Sequence, residues 1–355
     1  MARIDKLLLG MEDTEASDLH MVVAQPPKYR IHGDVIAVED YGPLTEKEME
    51  EYLLGILSEE DQKRYLENLD FDFGYGIEGR ARFRCNFFFQ RTGYAAVFRI
   101  IPEHIQSIDE LGLPAVLKKM TETRSGLILC TGPTGSGKST TLAAMIDYMN
   151  ENMRRHIVTI EDPIEFVHKN KQCIITHRET HNHTKTFGSA LRAAIRQDVD
   201  VVLVGELRDL ETIALALTAA ATGALVYGTL HTNSASKTID RIIDVFPEDE
   251  QAQIRTMLAE SLRGIVAQLL LRRVKKGRVA ANEILLSSQA VTNIIREGRI
   301  ERLVDVMLAG KKDGMQLMDD VLDQYVKGGL VSGHEAFMNA QDKRRFEHLA
   351  DKTKV

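Results

Sequence analysis

The chain has 355 residues, of which 44% are hydrophobic and 27% are charged, a composition typical of a soluble globular protein with more than one domain. Its formal net charge is -7, so the surface as a whole does not attract nucleic acid or anionic lipid. Cys85, Cys130 and Cys173 lie far apart and form no CxxC pair. This spacing predicts neither a disulfide framework nor a structural zinc site.

No apolar segment approaches the roughly 20 residues that a membrane-spanning helix needs. The best candidate, residues 264–271, is short, contains Gln268 and ends at Arg272 and Arg273. The short apolar run at the N-terminus is followed by acidic residues, which is not the pattern of a signal peptide. The sequence therefore predicts a cytoplasmic protein.

Residues 1–101 have the pattern of a small α+β domain. Short β-branched runs between residues 22 and 38 predict strands, with turns at Pro26-Pro27 and Gly33-Asp34. Residues 45–57 predict a helix, because Thr45 is a good N-cap and Glu48 follows three residues later. Residues 80–101 alternate as a hairpin does, with the turn at 91–93. Residues 102–113 lack a sustained apolar period and predict a linker.

Residues 114–355 form the second predicted domain, which has a different pattern. Apolar runs at 127–130, 157–160, 201–204 and 224–230 predict strands buried on both faces, and helical patterns at 139–150, 187–196 and 210–221 separate them. Alternating strands and helices predict a parallel sheet covered on both sides. From about residue 249 the chain is predicted to be mostly helical, including residues 290–297 and 316–327. The predicted fold class is α/β.

A glycine-rich segment follows the first of these strands and opens the next helix. It has the spacing of a P-loop, whose backbone N–H groups bind phosphate oxygens at a helix N-terminus. Lys138 is predicted to reach the β- and γ-phosphates, and the Ser139 hydroxyl to bind Mg²⁺. The predicted nucleotide-binding residues are Gly132, Pro133, Thr134, Gly135, Ser136, Gly137, Lys138, Ser139 and Thr140.

A P-loop enzyme also needs a carboxylate near the γ-phosphate, and two strand ends supply candidates. Glu161 follows the strand at 157–160, and Glu206 follows the strand at 201–204. Many P-loop enzymes have an aspartate directly before the second glutamate, where this chain has Gly205. An acidic residue at a strand end is also a common helix cap, which is the alternative role for either glutamate.

Histidines give a less specific signal. His231 ends the strand at 224–230, where it fits either a hydrogen-bond donor to the γ-phosphate or a satisfied loop histidine. His177, His181 and His183 resemble a metal cluster, but only Glu179 accompanies them at ligand spacing. A solvated loop is the favoured interpretation of these three residues.

Arg80, Arg82 and Arg84 alternate along the strand of the predicted hairpin and therefore lie on one face of its sheet. Three guanidinium groups on one face repel one another unless an anion or carboxylates meet them. They fit either a solvated edge with acidic partners or a phosphate site, the latter across a subunit boundary as arginine fingers.

Taken together, these motifs resemble those of the type IV pilus retraction ATPases of the secretion-ATPase superfamily, over residues 17–331. The matching segments are the P-loop at 132–140, an acidic box at 159–166, an atypical Walker B segment at 202–209 and a histidine box at 228–233, with further similarity at 237–247 and 314–319. The order of these motifs makes the resemblance far more specific than a P-loop alone.

The resemblance implies a homohexameric ring whose subunits have a PAS-like N-terminal domain and a RecA-like ATPase domain with a helical C-terminal region. It implies that Arg82 and Arg84, and less directly Arg80, surround the nucleotide phosphates, and that Glu161 and Glu206 organise Mg²⁺ and the attacking water. The implied function is an ATP-hydrolysing motor for pilus retraction and twitching motility. The implied partner is an inner-membrane pilus platform protein at the cytoplasmic face of that membrane, with no nucleic acid partner and no membrane insertion.

The chain departs from the family pattern at four positions, which are Val199, Ala221, Ala224 and Thr292. A pilus-assembly or type II secretion ATPase is the main alternative, although those relatives usually carry a four-cysteine zinc insert and a longer N-terminal region. A nucleic-acid translocase and a nucleotide-gated regulator are alternatives of other classes.

Overall fold

The computed structural model describes residues 2–102 and 104–350. It divides into two compact units, one of Met1–His104 with Asp162–Val167 and one of Ile105–Glu161 with His168–Val355. The chain therefore contributes a short segment from the middle of its sequence to the first unit, which the predicted domain boundaries do not include.

The first unit is built on an antiparallel sheet with helices. Its elements are α1 (Asp5–Asp13), β1 (Asp18–Val22), β2 (Lys28–Ile31), β3 (Asp34–Ala37), α2 (Glu46–Leu54), α3 (Glu59–Asn68), β4 (Asp70–Ile77), β5 (Ala81–Gln90) and β6 (Gly93–Ile101). The six strands lie in the order β3-β2-β1-β6-β5-β4, and each neighbouring pair is antiparallel.

Local sequence signals place these elements. Thr45 caps α2, because its side chain accepts from the Glu48 N–H at 3.2 Å while the Glu48 carboxylate accepts from the Thr45 N–H at 2.9 Å. On β5, Phe83, Cys85 and Phe87 are fully buried, whereas the residues between them are only half-buried. The predicted alternation of this strand is therefore observed.

The second unit contains the larger sheet. Its strands are β7 (Gly126–Thr131), β8 (His156–Glu161), β9 (Ile174–Glu179), β10 (Val201–Val204), β11 (Leu225–Leu230), β12 (Leu262–Arg272) and β13 (Arg278–Leu286). They lie in the order β13-β12-β7-β11-β10-β8-β9. All neighbours pair in parallel except β12 and β13, which form an antiparallel hairpin.

Helices cover this sheet and extend beyond it. They are α4 (Val116–Thr121), α5 (Lys138–Asn152), α6 (Phe187–Ala194), α7 (Leu210–Ala221), α8 (Ala235–Asp244), α9 (Glu248–Ser261), α10 (Gln289–Glu297), α11 (Leu303–Ala309), α12 (Met318–Lys327), α13 (Gly333–Asn339) and α14 (Lys343–Phe346), with short 3-10 helices at Ile300–Arg302, Gly310–Asp313 and Glu347–Leu349. The α/β fold class with a helical C-terminal region is confirmed.

Both faces of the central strands are buried, as their apolar runs predict. Leu127 and Leu129 of β7 pack in one hydrophobic cluster, whereas Ile128 and Cys130, which alternate with them, pack in another. The second cluster also contains Ile108 and Leu113, so part of the segment predicted as a linker packs in this unit. Within the described ranges, no helix is both long and apolar enough to cross a bilayer.

The prediction that the chain is mostly helical from about residue 249 is wrong for β12 and β13. The apolar run of β12 reflects its position between β7 and β13, because a strand with neighbours on both sides and covered faces has no polar alternation. This hairpin adds an antiparallel strand at the edge of the sheet, which makes the sheet mixed.

Candidate nucleotide site

The predicted functional segments of the second unit follow adjacent parallel strands at one edge of the sheet. Thr131 at the end of β7 pairs with Leu230 at the end of β11. The P-loop starts directly after Thr131, and His231 directly follows Leu230. Val204, which ends β10, pairs with Ile160 of β8 and with Gly228 of β11. The register therefore brings the P-loop, the histidine box and both predicted glutamates to the carboxyl edge of the sheet, where open α/β sheets bind ligands.

Glycines allow the P-loop to turn tightly between β7 and α5. Gly137 has a φ of 86°, in the left-handed region, and Gly132 has a φ of 144°. A Cβ on Gly132 would lie 2.2 Å from the Gln268 carbonyl oxygen. No side chain caps the N-terminus of α5, which leaves the first turn of this helix suited to an anion.

Lys138 crosses the P-loop that precedes it. Its ammonium group donates to the carbonyl oxygen of Gly132 at 2.7 Å and to that of Pro133 at 3.1 Å. Ser139 is exposed, and the next residue, Thr140, is half-buried. The loop therefore holds a cation and an accessible hydroxyl at the start of α5.

Glu206 is held between two basic side chains. One carboxylate oxygen lies 2.8 Å from Arg208 Nε, and the other lies 3.2 Å from His231 Nε2. The structure thus brings together two residues predicted from separate motifs, Glu206 and His231, and adds Arg208, whose role the sequence reasoning missed. The sequence signal for Arg208 was its position two residues after Glu206, just beyond an apolar run.

Neither predicted glutamate caps the helix that follows its strand. The N-cap of α7 is Asp209, whose side chain accepts from the Thr212 N–H at 2.8 Å, and the N-cap of α6 is Thr186. Glu161 is half-buried at the end of β8. The alternative role as helix caps therefore does not apply to these two glutamates at these two helices.

The strand end explains why glycine occupies position 205. A Cβ there would lie 3.2 Å from the Ile160 carbonyl oxygen and 3.4 Å from the Glu161 Cα, which is tight contact with backbone of the neighbouring strand. An aspartate at this position would need that strand end to move. Glu206 consequently has no acidic neighbour on its N-terminal side.

The histidines between β8 and α6 make local contacts. His177 lies on β9, where its ring nitrogens lie 2.9 Å from the Thr159 hydroxyl and 3.1 Å from the His168 backbone nitrogen. The His183 ring accepts from the Glu179 N–H at 3.0 Å. In the part of the chain that the structure describes, no group of three His, Cys, Asp or Glu side chains has the arrangement of a metal site.

The predicted arginine face lies in the first unit. Arg84 on β5 lies 3.2 Å from Glu165 and 3.9 Å from Asp72, so carboxylates meet this guanidinium. Burial raises the pKa of Asp72, and Arg84 opposes that shift. The Nε of Arg82 is buried and has no hydrogen-bond partner among the described residues. Arg80 precedes β5 and is exposed.

Two polar side chains inside the apolar hairpin were not singled out from the sequence for any role. Gln268 on β12 contacts the P-loop, donating to the Ser136 carbonyl oxygen at 2.7 Å. Glu283 on β13 accepts from the Ala235 N–H at 2.8 Å, at the start of the helix that follows the histidine box. Burial raises the pKa of Glu283. A polar residue inside an apolar run was the sequence signal that would have found both.

Comparison with known proteins agrees with this arrangement. Over 97% of its length the chain is 47% identical to the type IV pilus retraction ATPase PilT of Pseudomonas aeruginosa, 99% of which is covered. Over 89% of its length it is 48% identical to a twitching motility protein of Neisseria gonorrhoeae, 84% of which is covered. A crystal structure of the pilus retraction motor PilT with bound ADP superposes with a TM-score of 0.90 at 42% identity, covering 98% of this chain and 99% of that one.

The motifs at the sheet edge lie inside the segment that defines the shared family. Residues 64–327, well over half of the chain, match the type II/IV secretion system protein family. This chain is therefore a member of the type II/IV secretion system protein family.

Proposed function

We propose that this chain is a Mg²⁺-dependent ATPase that powers retraction of a type IV pilus. The observation that carries the proposal is the convergence of the P-loop, Glu206 and His231 at one sheet edge, in a chain that aligns with a pilus retraction ATPase over nearly its whole length. The reaction is hydrolysis of ATP to ADP and phosphate. Its free energy drives movement of the pilus.

The residues at this edge have different roles in the reaction. Backbone N–H groups of residues 134, 135 and 137–140 and the Lys138 ammonium bind the phosphates, where they stabilise charge that develops in the transition state. Glu206, fixed between Arg208 and His231, orients the water that attacks the γ-phosphorus. His231 is placed to report the presence of the γ-phosphate to Glu206, since it contacts that carboxylate.

The oxygen donors present fit a magnesium ion. The exposed Ser139 hydroxyl and the carboxylates of Glu161 and Glu206 are the ligand types that this cation prefers, directly or through water. When bound, Mg²⁺ would supply positive charge that offsets the negative charge of the phosphates. The arrangement of this chain's own side chains is thus compatible with the cofactor that the P-loop motif implies.

We further propose a homohexamer that engages an inner-membrane pilus platform protein from the cytoplasmic side, without nucleic acid and without inserting into the membrane. In this assembly Arg82 and Arg84 complete the active site of a neighbouring subunit. The side chain of Arg84 supports this role, because it is 39% exposed and so accessible to a phosphate on a neighbouring subunit.

A strain that lacks this protein is expected to lose twitching motility while carrying an excess of surface pili, because assembled pili are no longer withdrawn. The measurement is twitching-zone diameter together with the amount of sheared surface pilin. The wild-type gene should restore both, and a Lys138→Ala allele should restore neither. Loss of surface pili in the deletion strain would instead indicate the alternative role in pilus assembly.

Mixing two inactive variants tests whether subunits share active sites. Arg84→Ala and Lys138→Ala subunits lack groups on different units of the chain, so a mixed ring contains some sites with both groups intact. We expect ATP turnover of the mixture to exceed that of either variant alone. A co-assembled mixture that is no more active than its parents would mean that each subunit completes its own site.

A further inference from the structure

Gln268 lies at the centre of a buried polar cluster beneath the P-loop. Its side chain, in a residue only 2% exposed, donates through Nε2 to the Ser136 carbonyl oxygen at 2.7 Å. Its Oε1 accepts from the Thr141 hydroxyl at 2.7 Å and from the Asn282 side-chain amide at 2.9 Å. One side chain therefore connects the P-loop, the first turns of α5 and the hairpin strand β13.

The backbone and side chain of Gln268 also contact the glycines at both ends of the loop. A Cβ on Gly132 would lie 2.2 Å from the Gln268 carbonyl oxygen, and a Cβ on Gly137 would lie 2.9 Å from Gln268 Nε2. Strand β12 thus packs directly against both ends of the loop. This close packing leaves the Ser136–Gly137 peptide little room to rotate.

The hydrogen bond to Ser136 fixes the direction of one specific N–H group. A trans peptide is planar, and its C=O and N–H point in opposite directions. Because the Ser136 carbonyl points at Gln268, the Gly137 N–H in the same peptide points away from β12. In a P-loop, such N–H groups are the ones that bind phosphate oxygens.

We propose that Gln268 is a positioning residue for nucleotide binding, which holds the Ser136–Gly137 peptide so that the Gly137 N–H faces the phosphates. This inference rests on the proposed ATPase function. The position requires a group that donates to a carbonyl and accepts from a hydroxyl and an amide at once, which a neutral carboxamide does. A carboxylate accepts from the hydroxyl and the amide, but it has no hydrogen to donate to the Ser136 carbonyl oxygen.

The test measures binding of ADP to the purified full-length protein with a fluorescent ADP analogue, alongside thermal unfolding. Gln268→Met keeps an unbranched side chain of similar length and removes the hydrogen bonds. We expect its Kd for ADP to rise at least about tenfold, and KM for ATP to rise more than kcat falls. Asn282→Ala is the matched control, because it removes a partner of the same Gln268 oxygen on strand β13 and changes no residue of the P-loop. Its Kd is expected to change less than about twofold, even if its melting temperature falls.

Gln268→Glu provides a readout that loss of stability does not produce. When ionised, the new carboxyl places an oxygen against the Ser136 carbonyl oxygen, whereas the protonated acid has an O–H that restores the donor. Relative to wild type at each pH, ADP affinity of this variant should be weak at about pH 8 and recover at least about threefold at about pH 5.5. This comparison remains decisive if Gln268→Met does not fold.

The outcomes separate this inference from the proposed function. Wild-type protein that binds no nucleotide would overturn the ATPase function itself. If wild type binds ADP and the folded Gln268 variants bind it equally well at every pH, the positioning role is overturned while the function stands. The positioning role would also be overturned if the weakened ADP binding of Gln268→Glu did not respond to pH. The same holds if the Asn282→Ala control lost as much ADP affinity as the Gln268 variants do.

Discussion

Lys138→Ala is expected to lower ATP turnover by at least about 100-fold without unfolding the protein, because removal of one group that stabilises transition-state charge typically costs that much. Lys138 is half-buried, and its ammonium contacts carbonyl oxygens of the loop itself. We therefore expect its removal to affect nucleotide phosphates more than core packing. The measurements are steady-state phosphate release and the melting temperature of the same preparation.

Lys171→Ala is the matched control for this experiment. Lys171 forms ion pairs at 2.9 Å with Asp147 and Glu151, both on α5, but it lies away from the P-loop in sequence. Its removal is expected to cost at most about 1 kcal/mol of stability and to leave turnover unchanged. Turnover of Lys138→Ala equal to that of wild type, with a normal melting curve, would contradict the assignment of the P-loop.

The chemistry-bearing segments could be predicted because each has a local signal. The P-loop has its glycine spacing in a strand–loop–helix context, and Glu161, Glu206 and His231 each directly follow an apolar run. Parallel strands that end at one edge make their proximity expected in general terms. The sequence could not show that Glu206 and His231 touch, because that depends on the pairing register of β10 with β11.

The hairpin of β12 and β13 could not be recognised from local sequence pattern. The contacts that this hairpin makes beneath the P-loop could therefore not be predicted either. Residues 262–286 have the apolar continuity of a strand covered on both faces, which periodicity does not distinguish from a buried helix. In the sequence, Gln268 is only an interruption of an apolar run. Its partners, Ser136 and Thr141, are more than a hundred residues earlier, so only the folded sheet reveals the contact.

In the first unit, too, the contacts of individual side chains could not be predicted from the sequence. The alternation of β5 puts Arg82 and Arg84 on one face, but it does not show what each side chain contacts. Arg84 has the carboxylate partners expected of a solvated edge, one of them from the segment Asp162–Val167. Arg82 has a buried Nε without a hydrogen-bond partner among the residues described, and its role toward phosphate stays a prediction. Sequence spacing gives the face of a residue, whereas its partners depend on the rest of the fold.

Glu206→Gln is expected to slow ATP hydrolysis by more than about tenfold while ADP still binds within about threefold of the wild-type Kd, because the charge that orients the water is lost and the P-loop is untouched. The amide has the size of the carboxylate but an oxygen at only one of the two positions, so it cannot present a separate oxygen to each of Arg208 and His231 as the carboxylate does. Single-turnover hydrolysis and ADP titration measure the two effects separately.

The matched control for this substitution is Glu211→Gln. Glu211 lies in the first turn of the helix that follows Glu206 and is paired with Arg192, so the change removes an equal charge nearby without altering the strand end. Hydrolysis by this control should stay within about twofold of wild type. If Glu206→Gln hydrolyses ATP as fast as the control does, Glu206 acts only as a partner that holds Arg208 and His231. The attacking water must then be oriented by another group, for which Glu161 at the neighbouring strand end is the remaining carboxylate predicted from the sequence.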